Sequence, residues 1–193
     1  MVSKSDKQYF GLLIGLLMGM IIGALTLPKE VWAAEALVVP TGTTVIDDIS
    51  HPDGKEIEEA VSYLSENHIV IPADIKEICQ QYGKEYNICP QILMAVCWVE
   101  SHCTAEISNS SGTCHGIAQI HAGSHRKRMS KLGVSDLFNA DENIHVSADY
   151  IAELLIENDL ETSLCLYNGV NSNSTGYSRK VLKIAHYLEV VHW

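Results

Sequence analysis

Glu100 ends the apolar stretch Ile92-Leu93-Met94-Ala95-Val96-Cys97-Trp98-Val99. A carboxyl group among apolar neighbours, near the negative end of a helix, resists ionisation, and both effects raise its pKa. A glutamic acid that keeps its proton at neutral pH can give it to a leaving oxygen, the first requirement for breaking a glycosidic bond. Hydrolytic glycosidases usually add a second carboxylate, as nucleophile or as base for water. Between Glu100 and Gln119 the only other acid is Glu106. Without Glu106 across the groove, one carboxylate must act as acid and then as base, which works when the substrate supplies its own nucleophile. Asp136, Asp141 and Glu142 stand just before a predicted helix and read as capping or surface charges.

These residues need elements to position them. Ile75, Ile78, Cys79, Tyr82 and Tyr86 follow the period of a helix with one buried face, weakened at Gly83. Pro90 suits a first helical position, and the apolar run after it predicts a strongly buried helix ending at Glu100. Ser101 to Gly116 is polar and loop-like. Ile144, Ala148, Ile151 and Leu155 mark another amphipathic helix, Leu160, Leu164 and Tyr167 a shorter one, and Tyr177, Val181, Ile184, Ala185 and Leu188 a closing one. A Gly/Asn/Ser-rich loop, 169–176, precedes the last. The basic cluster His125-Arg126-Lys127-Arg128 with Lys131 reads as a solvated helix face, with anionic wall polymer or lipid as the functional alternative. The fold class is therefore mainly α, with at most a small β-turn region between Thr104 and Ile120.

Taken in order, Glu100-Ser101, Gly116-Ile117-Ala118-Gln119-Ile120, Leu166-Tyr167-Asn168-Gly169 and the Tyr177 that opens the closing helix form a set. The set resembles the catalytic domain of soluble lytic transglycosylases, relatives of goose-type lysozyme, over about Ile75 to Leu188. The resemblance implies a lysozyme-like α+β fold and cleavage of peptidoglycan between N-acetylmuramic acid and N-acetylglucosamine, with a 1,6-anhydro product. It implies Glu100 as the catalytic acid/base, and Ser110, Gln119, Tyr167, Asn168 and Tyr177 as residues that hold the sugar. Two departures stand out. Ile117-Ala118 replaces the family's Leu-Met, and Glu100 to Ser110 is one residue longer than the common spacing. Alone, Tyr167 and Tyr177 would be core aromatics, and Gln119 and Ser110 loop residues. Two competing readings follow: a muramidase that uses water with Glu106 or a later acid as helper, and a non-catalytic wall-binding or secretion-assembly module.

The 193 residues allow one domain of ordinary size. A net charge of −11 argues against a nucleic-acid partner gripped through phosphates. Lys4 and Lys7 precede an uncharged run from Gln8 to Pro28, long for a signal peptide and just long enough for a membrane-spanning anchor. Small-x-small patterns at Val31-Trp32-Ala33 and Ala34-Glu35-Ala36 favour cleavage, while Gly11, Gly15, Gly19 and Gly23 suit a membrane helix. Either way the rest is expected outside the cytoplasmic membrane, secreted or tethered to it. The expected organisation is a signal peptide or anchor over 1–36, a linker with a short acidic helix over 37–71, and the catalytic domain over 72–193. Small tethered members of the family often serve a secretion, conjugation or phage apparatus, so such an apparatus is an expected class of partner.

All six cysteines follow the export segment, where disulfides persist, and Cys103–Cys114, bracketing a short polar loop, is the favoured pair. Zinc is the rival reading, with His115, His121 and His125 near Cys114. No spacing matches a CxxC pair or an HExxH helix, so neither a metal nor an organic cofactor is expected.

Overall fold

The computed structural model describes residues 52–169 and 175–192. The apolar run at 8–28, the first part of the 37–71 segment (37–51) and most of the loop before the closing helix lie outside the described residues. Among those described, no helix is long and apolar enough to cross a membrane. The elements are α1 (Gly54–Glu66), α2 (Ala73–Tyr86), α3 (Pro90–Ser101), β1 (Cys114–His115), β2 (Ile120–His121), α4 (Ala122–Leu132), α5 (Ala140–Leu155), α6 (Leu160–Tyr167) and α7 (Thr175–Val190). This is the mainly α architecture that the periodicities predict. Among the described residues the β structure is one antiparallel pair, Cys114 opposite His121 and His115 opposite Ile120, with an isolated bridge between Ser108 and His115.

Helix α3 is the centre of the domain, packed against α2, α5 and α7. Gln91 to Cys97 are all buried, as expected of a helix that is apolar on every side. Pro90 opens it without losing a helical hydrogen bond. Around it, Ile117, Ile120, Ile144, Ile151, Leu164, Val181 and Ile184 complete one core. Burial of each such side chain is worth about 1.5–3 kcal/mol. Gly83, which looked like a weak point in α2, is a point of close approach: a Cβ there would lie 2.7 Å from the Ile88 carbonyl oxygen and 2.9 Å from the Pro90 ring. Side-chain caps define the other starts, Asp53 for α1, His121 for α4, Asn139 for α5 and Asp159 for α6.

The acidic helix expected within 37–71 is α1, and it docks on α7. Ala60 is fully buried, Tyr63 and Tyr187 meet at 4.7 Å between ring centroids, and Tyr187 donates a hydrogen bond to Glu59. Lys183 Nζ lies 4.3 Å from the Tyr63 ring.

The cysteines depart from the sequence expectation. All six are free thiols, and Cys103 lies beside Cys79 and Cys97, which share a hydrogen bond, rather than being paired with Cys114. The reason is the way α3 ends. His102 and Cys103 take left-handed backbone angles (φ 52° and 60°), and their N–H groups turn back to the carbonyls of Trp98 and Cys97. This turn folds Cys103 back towards the helix it follows. Burial pushes its thiol up to about 12.

Candidate active site

Glu100 sits in the last turn of α3, where the buried helix emerges, and is itself partly buried. Loss of water raises its carboxyl above the ordinary value. One hydrogen bond opposes this: the Tyr177 hydroxyl, from the first turn of α7, donates to Glu100 Oε1 at 2.7 Å. The Tyr177 phenol is pushed strongly upward, first by its own burial and then by the Glu100 charge, so it remains a donor at every working pH. Among the described residues no second carboxylate contributes to the Glu100 shift. Glu106 is exposed in the following loop.

The loop 116–120 is held against this helix end by three side chains. Ser101, buried beside Glu100 in sequence, donates to the Ile117 carbonyl at 2.6 Å and accepts from Thr104 N–H. Tyr167 donates to the Ala118 carbonyl at 2.8 Å, and its hydroxyl also meets Ser147 at 3.0 Å. Asn143, fully buried on α5, accepts from Ala118 N–H and donates to the carbonyls of His115 and Leu137. Gly116, at φ 77°, leaves room for Asn143, since a Cβ there would overlap both Leu137 and Asn143.

The structure thus brings Glu100 and Tyr177 into contact. Tyr167 lies close enough for the Glu100 charge to help raise its phenol, although burial is the larger cause. Gln119, at φ 49°, turns its amide onto the carbonyls of Gly116 and Ile107, within its own loop. Asn168 is exposed at the C-terminal cap of α6, and Ser110 is exposed in the turn spanning Asn109 to Gly112. Neither is in hydrogen-bond contact with Glu100.

Sequence reasoning missed Asn143 and gave Ser101 no role. A polar residue inside the apolar pattern of α5 was the available signal for the first. Glu142, read as a capping charge, accepts from the backbone N–H groups of Ser135 and Asp136, and these hydrogen bonds lower its carboxyl. The three histidines of the zinc reading each have a structural partner: His115 meets Ser108, His121 caps α4, and His125 packs on Tyr150.

In comparison with known proteins, the family model for the transglycosylase SLT domain matches residues 77–183, more than half of the chain. No curated protein matches it.

Proposed function

The chain belongs to the transglycosylase SLT family, which gives it a peptidoglycan transglycosylase-type function, and from that membership we propose a specific reaction. It cleaves the β-1,4 bond between N-acetylmuramic acid and N-acetylglucosamine and leaves a 1,6-anhydro end. The observation that carries this reading is a partly buried Glu100 with a raised pKa, held by Tyr177, with no described carboxylate acting on it.

Glu100 first donates its proton to the glycosidic oxygen as the bond from muramic acid C1 to that oxygen breaks. N-acetylglucosamine leaves with a free 4-hydroxyl, and the N-acetyl oxygen of the muramic acid steadies the charge at C1. Glu100, now a carboxylate, takes the proton of the C6 hydroxyl while O6 bonds to C1. The 1,6-anhydro ring forms, Glu100 regains its proton, and no water is consumed. Tyr177 donates to the carboxylate in the charged stage and thereby balances its desolvation. Ser110, Gln119 and Asn168 face the sugar in this reading, and Tyr167 offers a ring face while its hydroxyl fixes Ala118. Because peptidoglycan lies outside the cytoplasmic membrane, the domain works there, and the uncharged run at 8–28 supports export.

The test is mass spectrometry of the products released when the full chain is incubated with purified peptidoglycan, beside a Glu100→Gln control. Anhydromuropeptides from wild type and none from the control are expected. Products ending in a reducing sugar would replace this reading with a water-using muramidase. Folded protein that binds wall without releasing sugar would leave a binding module.

A further inference from the structure

The basic cluster on α4 is not simply a solvated face. A cavity of about 270 Å³ opens between α4 and α5, lined by Lys127, Arg128, Lys131 and His125 on one side and Asp149 and Glu153 on the other. Arg128, with its side chain only 11% exposed, pairs with both acids, and Lys131 pairs with Asp149 at 3.3 Å. Both carboxylates are therefore already matched. Lys127 has no acidic partner among the described residues, so the lining keeps one uncompensated cation on a chain of net charge −11. Arg128 Nε donates to His125 Nδ1, which leaves the proton of that neutral ring on Nε2; burial, Arg128 and His121 all lower its pKa.

The cavity is joined to the reaction centre by aromatic rings. His125 packs on Tyr150 at 4.5 Å, Tyr150 meets Tyr167 at 5.5 Å, and Tyr167 is the neighbour whose phenol feels the Glu100 charge. The geometry points to a second subsite that takes the peptide stem of the muramic acid, with Lys127 holding a stem carboxylate. This inference rests on peptidoglycan as substrate. A muramic acid at Glu100 carries its peptide on C3, and three or four extended residues, at about 3.3 Å each, span the two ring contacts. The mixed lining favours this ligand over a polyphosphate. A stem offers a carboxylate to Lys127 and an amine to the exposed side of Glu153, whereas a chain of phosphates alone would meet both Asp149 and Glu153.

The experiment uses the full chain on glycan strands that carry stems and on the same strands stripped by an amidase. A soluble muropeptide is titrated calorimetrically in parallel. Wild type is expected to prefer stem-bearing strands in kcat/KM. Lys127→Glu should cut that preference about tenfold, equivalent to about 1.4 kcal/mol, through KM, and Lys127→Arg should restore it. Muropeptide binding should weaken by a similar factor. Equal cleavage of both substrates by wild type, an equal loss on both in Lys127→Glu, or a muropeptide Kd that the charge reversal leaves in place would each overturn the subsite. So would loss of binding to a phosphate polymer alone. Weakened muropeptide binding without turnover of either strand by wild type would sink the enzymatic reading and leave the subsite standing.

Discussion

Replacing Tyr177 by Phe removes the one hydroxyl that steadies the Glu100 carboxylate while keeping the ring and its burial. The hydrogen bond is 2.7 Å long and favours the charged acid. Hydrogen bonds to charged groups contribute about 1.5–3 kcal/mol, and because this pair is only partly buried the low end applies. A loss of about 1.4 kcal/mol from the charged form raises the pKa by about one unit. Catalysis starts from protonated Glu100, so activity falls as pH rises through that pKa. The basic limb of the kcat/KM profile for glycan cleavage should therefore move up by about one pH unit in Tyr177→Phe. Circular dichroism at each pH would show that both proteins stay folded. A limb that stays in place, or moves to lower pH, would refute the idea that Tyr177 and Glu100 together set the acid.

Glu100→Gln should be inactive yet more stable at neutral pH. A carboxyl whose folded pKa is raised binds its proton more tightly in the folded state, so stability is full below the ordinary Glu value and lost as pH rises through the raised one. The neutral amide removes that loss, so calorimetry across pH should show a higher Tm than wild type at neutral pH and the wild-type slope vanish in the variant. Glu106→Ala should keep turnover within about threefold, since an exposed acid that does not act on Glu100 has no step to perform; a loss of about a thousandfold would restore the two-carboxylate mechanism. Asn143→Ala leaves the Ala118 N–H and the His115 and Leu137 carbonyls without their buried partner. A loss of about 3 kcal/mol in urea unfolding is expected, and a change below about 0.5 kcal/mol would show that the loop does not depend on it.

The helices were legible because their periods are strong. The apolar run from Ile92 to Val99 could only be a buried helix, and Glu100 drew attention because it ends that run. Tyr177 as a partner of Glu100 was not readable from spacing. The two are 77 positions apart, and their contact depends on α7 packing against α3. The cysteine pairing failed for a local reason: spacing treats the residues after Ser101 as a free loop, while two consecutive left-handed residues turn Cys103 back towards α3. Gly83 was judged by intrinsic helix propensity, and the approach of Pro90, a tertiary feature, decides its role. Arg128 looked solvated because its acids lie on another helix, 21 and 25 residues away.

Helix α7 works as a beam with a different attachment at each end. Tyr177, in its first turn, grips the acid, and Tyr187, ten residues on, grips α1. At 1.5 Å per residue these grips are about 15 Å apart along a stiff rod. The chain enters the described domain through α1, and α1 meets the far end of that beam. Tyr63, Tyr187 and Lys183 make that joint, a helix length away from the bond between Tyr177 and Glu100. One stiff helix thus ties the packing of α1 to the hydrogen bond on the acid, and a shift of α7 along its axis would be felt at both.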